Sequence, residues 1–122
     1  MTLIDSNIII YAAQPQYSNL RRFIAENAPA VSAVSYVEVL GYPRLSAEER
    51  QHFEAFFASA TILSISDGVI HEAVRLRQQR KMNLGDALVA GTALLHGLTL
   101  VTRNTPDFDW IDGLTLLNPL QP

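Results

Sequence analysis

The chain has 122 residues, 48% of them hydrophobic and 17% charged, a formal net charge of −3, and no cysteine. That length suits a single domain over residues 1–122, able to bury one core unaided, and the composition excludes a disordered or collagen-like chain. The missing cysteines exclude disulfides, thiolate zinc sites and a thiol nucleophile. No apolar run approaches the roughly 18 residues of a membrane span, and the first residues lack a basic leader, so the expectation is a cytoplasmic chain with no membrane partner.

The apolar pattern alternates short β-like runs with helical runs. Thr2 to Ile4 reads as a strand, followed by polar Asp5-Ser6-Asn7 and apolar Ile8 to Tyr11. Ser18 reads as the cap of a helix carrying Leu20, Phe23 and Ile24, stopped by Asn27 and Pro29. Ala30 to Ala33 is a second strand, and a short helix from about Ser35 to Gly41 ends before Pro43. Ser46 and Glu49 form a capping box ahead of a helix with Phe53, Phe56 and Phe57. That aromatic face reads as ordinary core, with packing on a second subunit or a partner segment as the alternative. Thr61 to Ile65 is a third strand. Asp67 is expected to cap a helix that turns Val69, Ile70, Ala73 and Val74 inward and gathers Arg75, Arg77, Arg80 and Lys81 near its end. The following helix is apolar nearly all round, with Leu84, Ala87, Leu88, Gly91, Leu94 and Leu95 on one stripe and Asp86 as its sole charge from Leu84 to Leu95. Gly97 ends it. Leu98 to Val101 and Leu114 to Leu117 are the last strands. The expected fold is α/β: three layers, α/β/α, around a mainly parallel sheet of about five short strands with right-handed crossovers.

Ligands of open α/β sheets bind beyond the carboxyl ends of the strands. Asp5 follows the first strand, Glu38 lies just past the second, Asp86 opens the apolar helix, and Thr102-Arg103-Asn104 with Asp107 follows the fourth strand. Each acid has a structural explanation as well. Asp5 suits a helix cap, Ser35 with Glu38 and Asn83 with Asp86 resemble capping boxes, and Asp107 beside Pro106 suits a turn. Singly, Glu38 and Asp107 favour the structural reading, and Asp5 and Asp86 stay open. Together they carry more. Two unit charges ~4 Å apart repel by roughly 4 kcal/mol at an effective dielectric of about 20, so gathered carboxylates call for a neutraliser. Oxygen-only ligands point to Mg²⁺ or Mn²⁺, and such a site supports phosphodiester hydrolysis.

Four segments resemble the motifs of the PIN domain family: Leu3-Ile4-Asp5-Ser6-Asn7, Ser35-Tyr36-Val37-Glu38-Val39-Leu40-Gly41, Asn83-Leu84-Gly85-Asp86-Ala87-Leu88-Val89-Ala90, and Gly97 to Asn104 with Asp107-Phe108. Within that family the chain is most similar to VapC-type toxins of type II toxin–antitoxin pairs. The resemblance implies a Mg²⁺- or Mn²⁺-dependent endoribonuclease acting on RNA and leaving a 5′-phosphate and a 3′-hydroxyl. It further implies a homodimer inhibited by a VapB-like antitoxin. By the same resemblance Asp5, Glu38, Asp86 and Asp107 are the catalytic and metal-binding acids, and Ser6, Asn7, Thr102 and Asn104 support them or contact phosphate. Asn104 stands where many relatives carry an acid, leaving it and Asp107 as rivals for the fourth position. Setting the four acids aside leaves 8 of the 12 against 9 Lys and Arg, so the remaining surface tolerates RNA. Arg103, Arg80 and Lys81 are candidates for its backbone, as are Arg21, Arg22, Arg75 and Arg77, with a solvated helix end as the plainer reading of Arg75 to Lys81. No aromatic-interleaved basic motif is visible in the sequence. His52, His71 and His96 fall on helices away from the motifs.

Three other readings stay open at this point. A haloacid-dehalogenase-like phosphohydrolase would want an Asp where Asn7 stands. A phospho-acceptor receiver domain does not suit the apolar helix behind Asp86. A catalytically silent PIN-like binding module would keep the fold and lose the reaction.

Overall fold

The computed structural model describes residues 1–120. Five strands, β1 (Thr2–Ile4), β2 (Ala30–Ser32), β3 (Thr61–Leu63), β4 (Thr99–Val101) and β5 (Leu116–Leu117), form one sheet in the order β3-β2-β1-β4-β5. Every neighbouring pair is parallel. Six helices flank it: α1 (Ser6–Ala12), α2 (Ser18–Asn27), α3 (Ala33–Leu40), α4 (Ala47–Ser59), α5 (Asp67–Gln79) and α6 (Leu84–His96). The architecture is the three-layer α/β/α arrangement that the sequence predicts.

The strands divide their side chains by alternation. Leu3 and Leu100 face a core cluster with Leu76 of α5 and Val89, Ala90 and Ala93 of α6. Ile4, Val31 and Val101 face a second cluster with Ile8 and Ile9 of α1, Val39 of α3, and Phe53 and Phe57 of α4. Strands of two or three residues are this apolar because helices cover both faces of the sheet. The aromatic face of α4 is therefore core, with Phe53 and Phe57 buried and Phe56 partly so.

The helix ends differ from expectation in instructive ways. Ser66, not Asp67, caps α5, its Oγ accepting from the Val69 N–H at 3.3 Å. Tyr17 occupies the cap position of α2, and Ser18 is its first residue. The inward face of α5 is narrower than its periodicity suggests. Val69, Ala73 and Leu76 are buried, while Ile70 and Val74 are 43% and 50% exposed. In α6, Ala87 and residues 89–93 are buried, but Leu84 and Leu95 project at its two ends. The small residue Gly91 lets α5 approach closely, since a Cβ there would stand 3.1 Å from the Val69 carbonyl oxygen. Gly97 closes α6 in the left-handed conformation at φ 64°.

The chain runs from β1 outward to β3 on one side, then returns to place β4 and β5 on the other. The turning point lies between β1 and β4. Residues just after these two strands therefore face a crevice that no crossover covers.

Candidate functional site

Asp5 stands at that crevice. Its backbone N–H donates to the Val101 carbonyl at 3.2 Å, tying it to β4. Its Oδ1 accepts from the Ile8 N–H at 3.0 Å, capping α1. The cap and the site use the same carboxylate, and capping leaves lone pairs free. Burial pushes the Asp5 pKa above its ordinary value. The Thr102 hydroxyl and the Ile8 N–H oppose that rise, and the Glu38 charge adds to it. Thr102 itself is fully buried and accepts from the Asn104 N–H at 3.0 Å.

Glu38 reaches the same place by a route that the spacing Ser35–Glu38 misreads. The strand β2 ends at Ser32, whose Oγ accepts from the Val34 N–H at 3.1 Å and caps α3 from Ala33 onward. Ser35 is thus inside the helix and buried, and no capping box forms with Glu38. The Glu38 carboxylate instead accepts from Ser6 Oγ at 2.6 Å, and Ser6 also lies 2.9 Å from Ser35 Oγ. Ser6 is therefore a positioning residue that aims Glu38 from α3 toward the start of α1.

Asp86 sits in the first turn of α6. Asn83 caps this helix, its Oδ1 accepting from the Asp86 N–H at 2.7 Å while its Nδ2 donates to Asp86 Oδ2 at 3.1 Å. Burial raises the Asp86 pKa first, and the charges of Asp107, Asp5 and Glu38 raise it further. The other three acids therefore all act electrostatically on Asp86. Asp107 ends a 3-10 turn over Thr105–Asp107, as Pro106 leads one to expect.

Two cavities adjoin across Asp86. One, of about 350 Å³, is bordered by Asp5, Ser6, Asn7, Glu38, Gly85 and Asp86. The other, of about 250 Å³, is bordered by Arg80, Lys81, Asp86, Asp107 and Trp110. The structure thus brings Asp5, Glu38 and Asp86 to one cavity and sets Asp107 in the next. Asn7 is exposed on the rim of the first. Asn104 is exposed, and its carbonyl accepts from the Asp107 N–H at 3.0 Å. Arg103 lies elsewhere, its guanidinium 5.1 Å from the Tyr11 ring centroid and lining a separate hollow with Tyr17 and Asn118. His71 and His96 are exposed on α5 and α6, and His52 lines a hollow with Ile24 and Phe56.

The chemistry of the set is one-sided. Among the described residues the one ion pair joins Arg75 to Glu72 at 2.7 Å, away from these acids. Arg80 and Lys81 border the cavity on the Asp107 side, but among the described residues neither forms an ion pair with these acids, and every ligating atom that the acids offer is oxygen. That donor set fits a hard divalent cation. Among the described residues, however, no three acidic or histidine side chains stand close enough to grip one ion between them. The arrangement suits Mg²⁺ bound through one or two carboxylates, with water filling the remaining positions.

Gly85 is the residue that sequence reasoning passed over. A Cβ there would lie 2.5 Å from Glu38 Oε2 and 3.3 Å from its Cδ. The glycine lets the Glu38 carboxylate rest against the first turn of α6, beside Asp86. The only hint in the sequence is a glycine next to an acid at a helix start, a position where glycine costs helix stability.

The comparisons with known proteins bear on the fold and the family. Ribonuclease VapC2 of Rickettsia felis is 26% identical over 128 residues, covering 95% of this chain and 96% of the relative. A toxin–antitoxin complex from Klebsiella pneumoniae superposes with a TM-score of 0.81 at 29% identity, over the whole of both chains. DNA-bound VapBC from Salmonella typhimurium shares the fold with a TM-score of 0.85 at 19% identity, over 98% of this chain and 99% of that one. These likenesses favour neither the phosphohydrolase reading nor the silent-module reading. The PIN domain model matches residues 2–114, a span that holds all four acids and every strand but the last, and the chain belongs to the PIN domain family.

Proposed function

We propose that this chain is a Mg²⁺- or Mn²⁺-dependent endoribonuclease, the toxin of a toxin–antitoxin pair. The observation that carries the reading is the convergence of Asp5, Glu38 and Asp86 on one cavity, with Asp107 next to it and no ion pair to any of the four among the described residues. The relatives support it, one being named a ribonuclease and another being part of a toxin–antitoxin complex.

One or two of Asp5, Glu38 and Asp86 would hold the ion directly and the rest through water, and Asp107 would add charge from the adjoining cavity. When bound, a divalent cation polarises a phosphate, lowers the pKa of a water and stabilises the leaving oxygen. The chain's own residues do the positioning. The α1 cap fixes the Asp5 carboxylate. Ser6 fixes Glu38, and Asn83 fixes Asp86. Asn7 on the rim is available to a phosphate oxygen, and Arg80 and Lys81 face the strand from the second cavity. Hydrolysis leaves a 5′-phosphate and a 3′-hydroxyl.

The reading includes a VapB-like antitoxin, a homodimer and a cytoplasmic RNA substrate. The homodimer draws support from the exposed apolar side chains of Ile65, Ile70, Val74 and Leu84, which line one hollow beside α5. No helix among the described residues is long and apolar enough to cross a membrane. The deciding experiment measures RNA cleavage with Mg²⁺, with Mn²⁺ and with EDTA. It compares the unaltered chain with Asp5→Asn and Asp86→Asn. Chelation and either substitution should lower the rate about 100-fold or more. Undiminished cleavage in any of the three refutes the site.

A further inference from the structure

Trp110 is the chain's one tryptophan, and the acidic site does not use it. It is partly buried, packed against the cluster that holds Phe108 and Ile111. Its indole N–H donates to the Asp107 carbonyl at 2.9 Å, which fixes the ring relative to that acid. The Arg80 guanidinium lies over the ring, 5.4 Å from its centroid. Arg80 comes from the end of α5, Lys81 follows it, and both line the cavity of about 250 Å³ that Asp86, Asp107 and Trp110 share. Neither cation is paired with an acid among the described residues.

An acidic site needs an attraction for its polyanionic substrate that charge alone does not supply. Stacking of bases on aromatic rings and guanidinium planes is such an attraction. The cavity is smaller than the about 300 Å³ at which pockets for drug-sized ligands begin. It suits a single base. A base within a duplex has both faces already stacked, so such a pocket accepts only an unpaired one.

We infer that Arg80, Lys81 and Trp110 form a subsite for one unpaired nucleotide beside the scissile bond, its base against the Arg80–Trp110 stack and its phosphate toward Lys81. The inference rests on the ribonuclease reading and assigns to it three residues that would contact one nucleotide.

Because Trp110 is unique, its emission reports the subsite directly. The test uses the Asp5→Asn chain with Mg²⁺, which is expected not to cut. A short single-stranded RNA of mixed sequence should quench the emission saturably. Quenching should follow the binding seen by anisotropy of a labelled copy. An abasic strand of equal length should bind more weakly and leave the emission unchanged. Trp110→Phe should keep affinity within a few-fold, whereas Trp110→Ala should lose roughly 5- to 150-fold. The quenching measurement needs no substitution at the subsite, so a poorly folded Trp110→Ala chain does not blunt it. RNA bound without any change in emission, or abasic and base-bearing strands bound equally, overturns the subsite and leaves the ribonuclease reading intact. Equal quenching by a blunt duplex overturns the preference for unpaired bases. RNA neither bound by this variant nor cut by the unaltered chain overturns both proposals.

Discussion

Replacing Gly85 with alanine separates folding from activity in this chain. The new Cβ would lie 2.5 Å from Glu38 Oε2, and an ordinary contact begins at 3.4 Å, so the carboxylate must retreat by about 0.9 Å. Glu38 is exposed and its end is flexible, so it can retreat without disturbing the core. The retreat breaks or stretches the 2.6 Å hydrogen bond from Ser6, a loss of about 1 kcal/mol at most for a solvated pair. Alanine in place of glycine returns up to about 1 kcal/mol of helix stability. The two nearly cancel, and Tm should move by no more than about 5 °C. Activity has no such compensation. A misplacement of about 1 Å in a reacting constellation costs about 100-fold in rate. The assay is RNA cleavage at saturating Mg²⁺, paired with a thermal melt of the same preparation. Wild-type cleavage by Gly85→Ala would refute the role given to Glu38. A loss of several kcal/mol in stability would refute the claim that only the Glu38 side chain is displaced.

Asp86→Asn tests the electrostatics in the absence of metal. The Asp86 pKa is raised in the folded chain, so the folded state holds this proton more tightly than the unfolded state. The associated stability is fully present below the ordinary value of 3.8 and is lost as pH rises through the folded pKa. Urea midpoints of the unaltered chain should therefore fall, relative to those of Asp86→Asn, as pH rises from about 3.8 toward neutrality, and a parallel pair of curves would contradict the shift. Mg²⁺ at 100 times its dissociation constant should add about 2.7 kcal/mol of stability, seen as a rise in Tm that EDTA reverses and that Asp5→Asn reduces. Phe57→Ala removes a ring only 3% exposed in the second core cluster and should cost about 3–5 kcal/mol in denaturant unfolding; a cost under 1 kcal/mol would mean that α4 is not anchored there.

The parts of this fold that local chemistry dictates were legible in the residues. The strand Thr2–Ile4, the capping box at Ser46 and Glu49, and the glycine stop at Gly97 each follow from neighbours in sequence. Asp5 was legible as a candidate because a strand ends just before it, and it does border the cavity at the sheet edge. Where an element boundary decided a role, spacing alone misled. It gave the cap of α3 to Ser35, but β2 ends at Ser32, which caps the helix and leaves the Glu38 carboxylate to Ser6. Periodicity also sets the direction of a face but not its width. Ile70 and Val74 share the apolar spacing of the buried face, yet they stay exposed while Val69, Ala73 and Leu76 are buried. Pairs made by the path of a loop leave no trace at all in local pattern. Arg80 meets Trp110 because the segment after β4 folds back over the end of α5, and no motif search would join them.

The central position of β1 has a consequence for the order in which the crevice assembles. The first strand must wait for β4, some ninety-five residues later, before the crevice between them exists. Asp86 and Asp107 also follow Asp5 by roughly eighty to a hundred residues. An amino-terminal fragment ending before α6 therefore carries Asp5 and Glu38 without their counterparts. The cavity that joins these acids is a product of the finished sheet and not of any one segment.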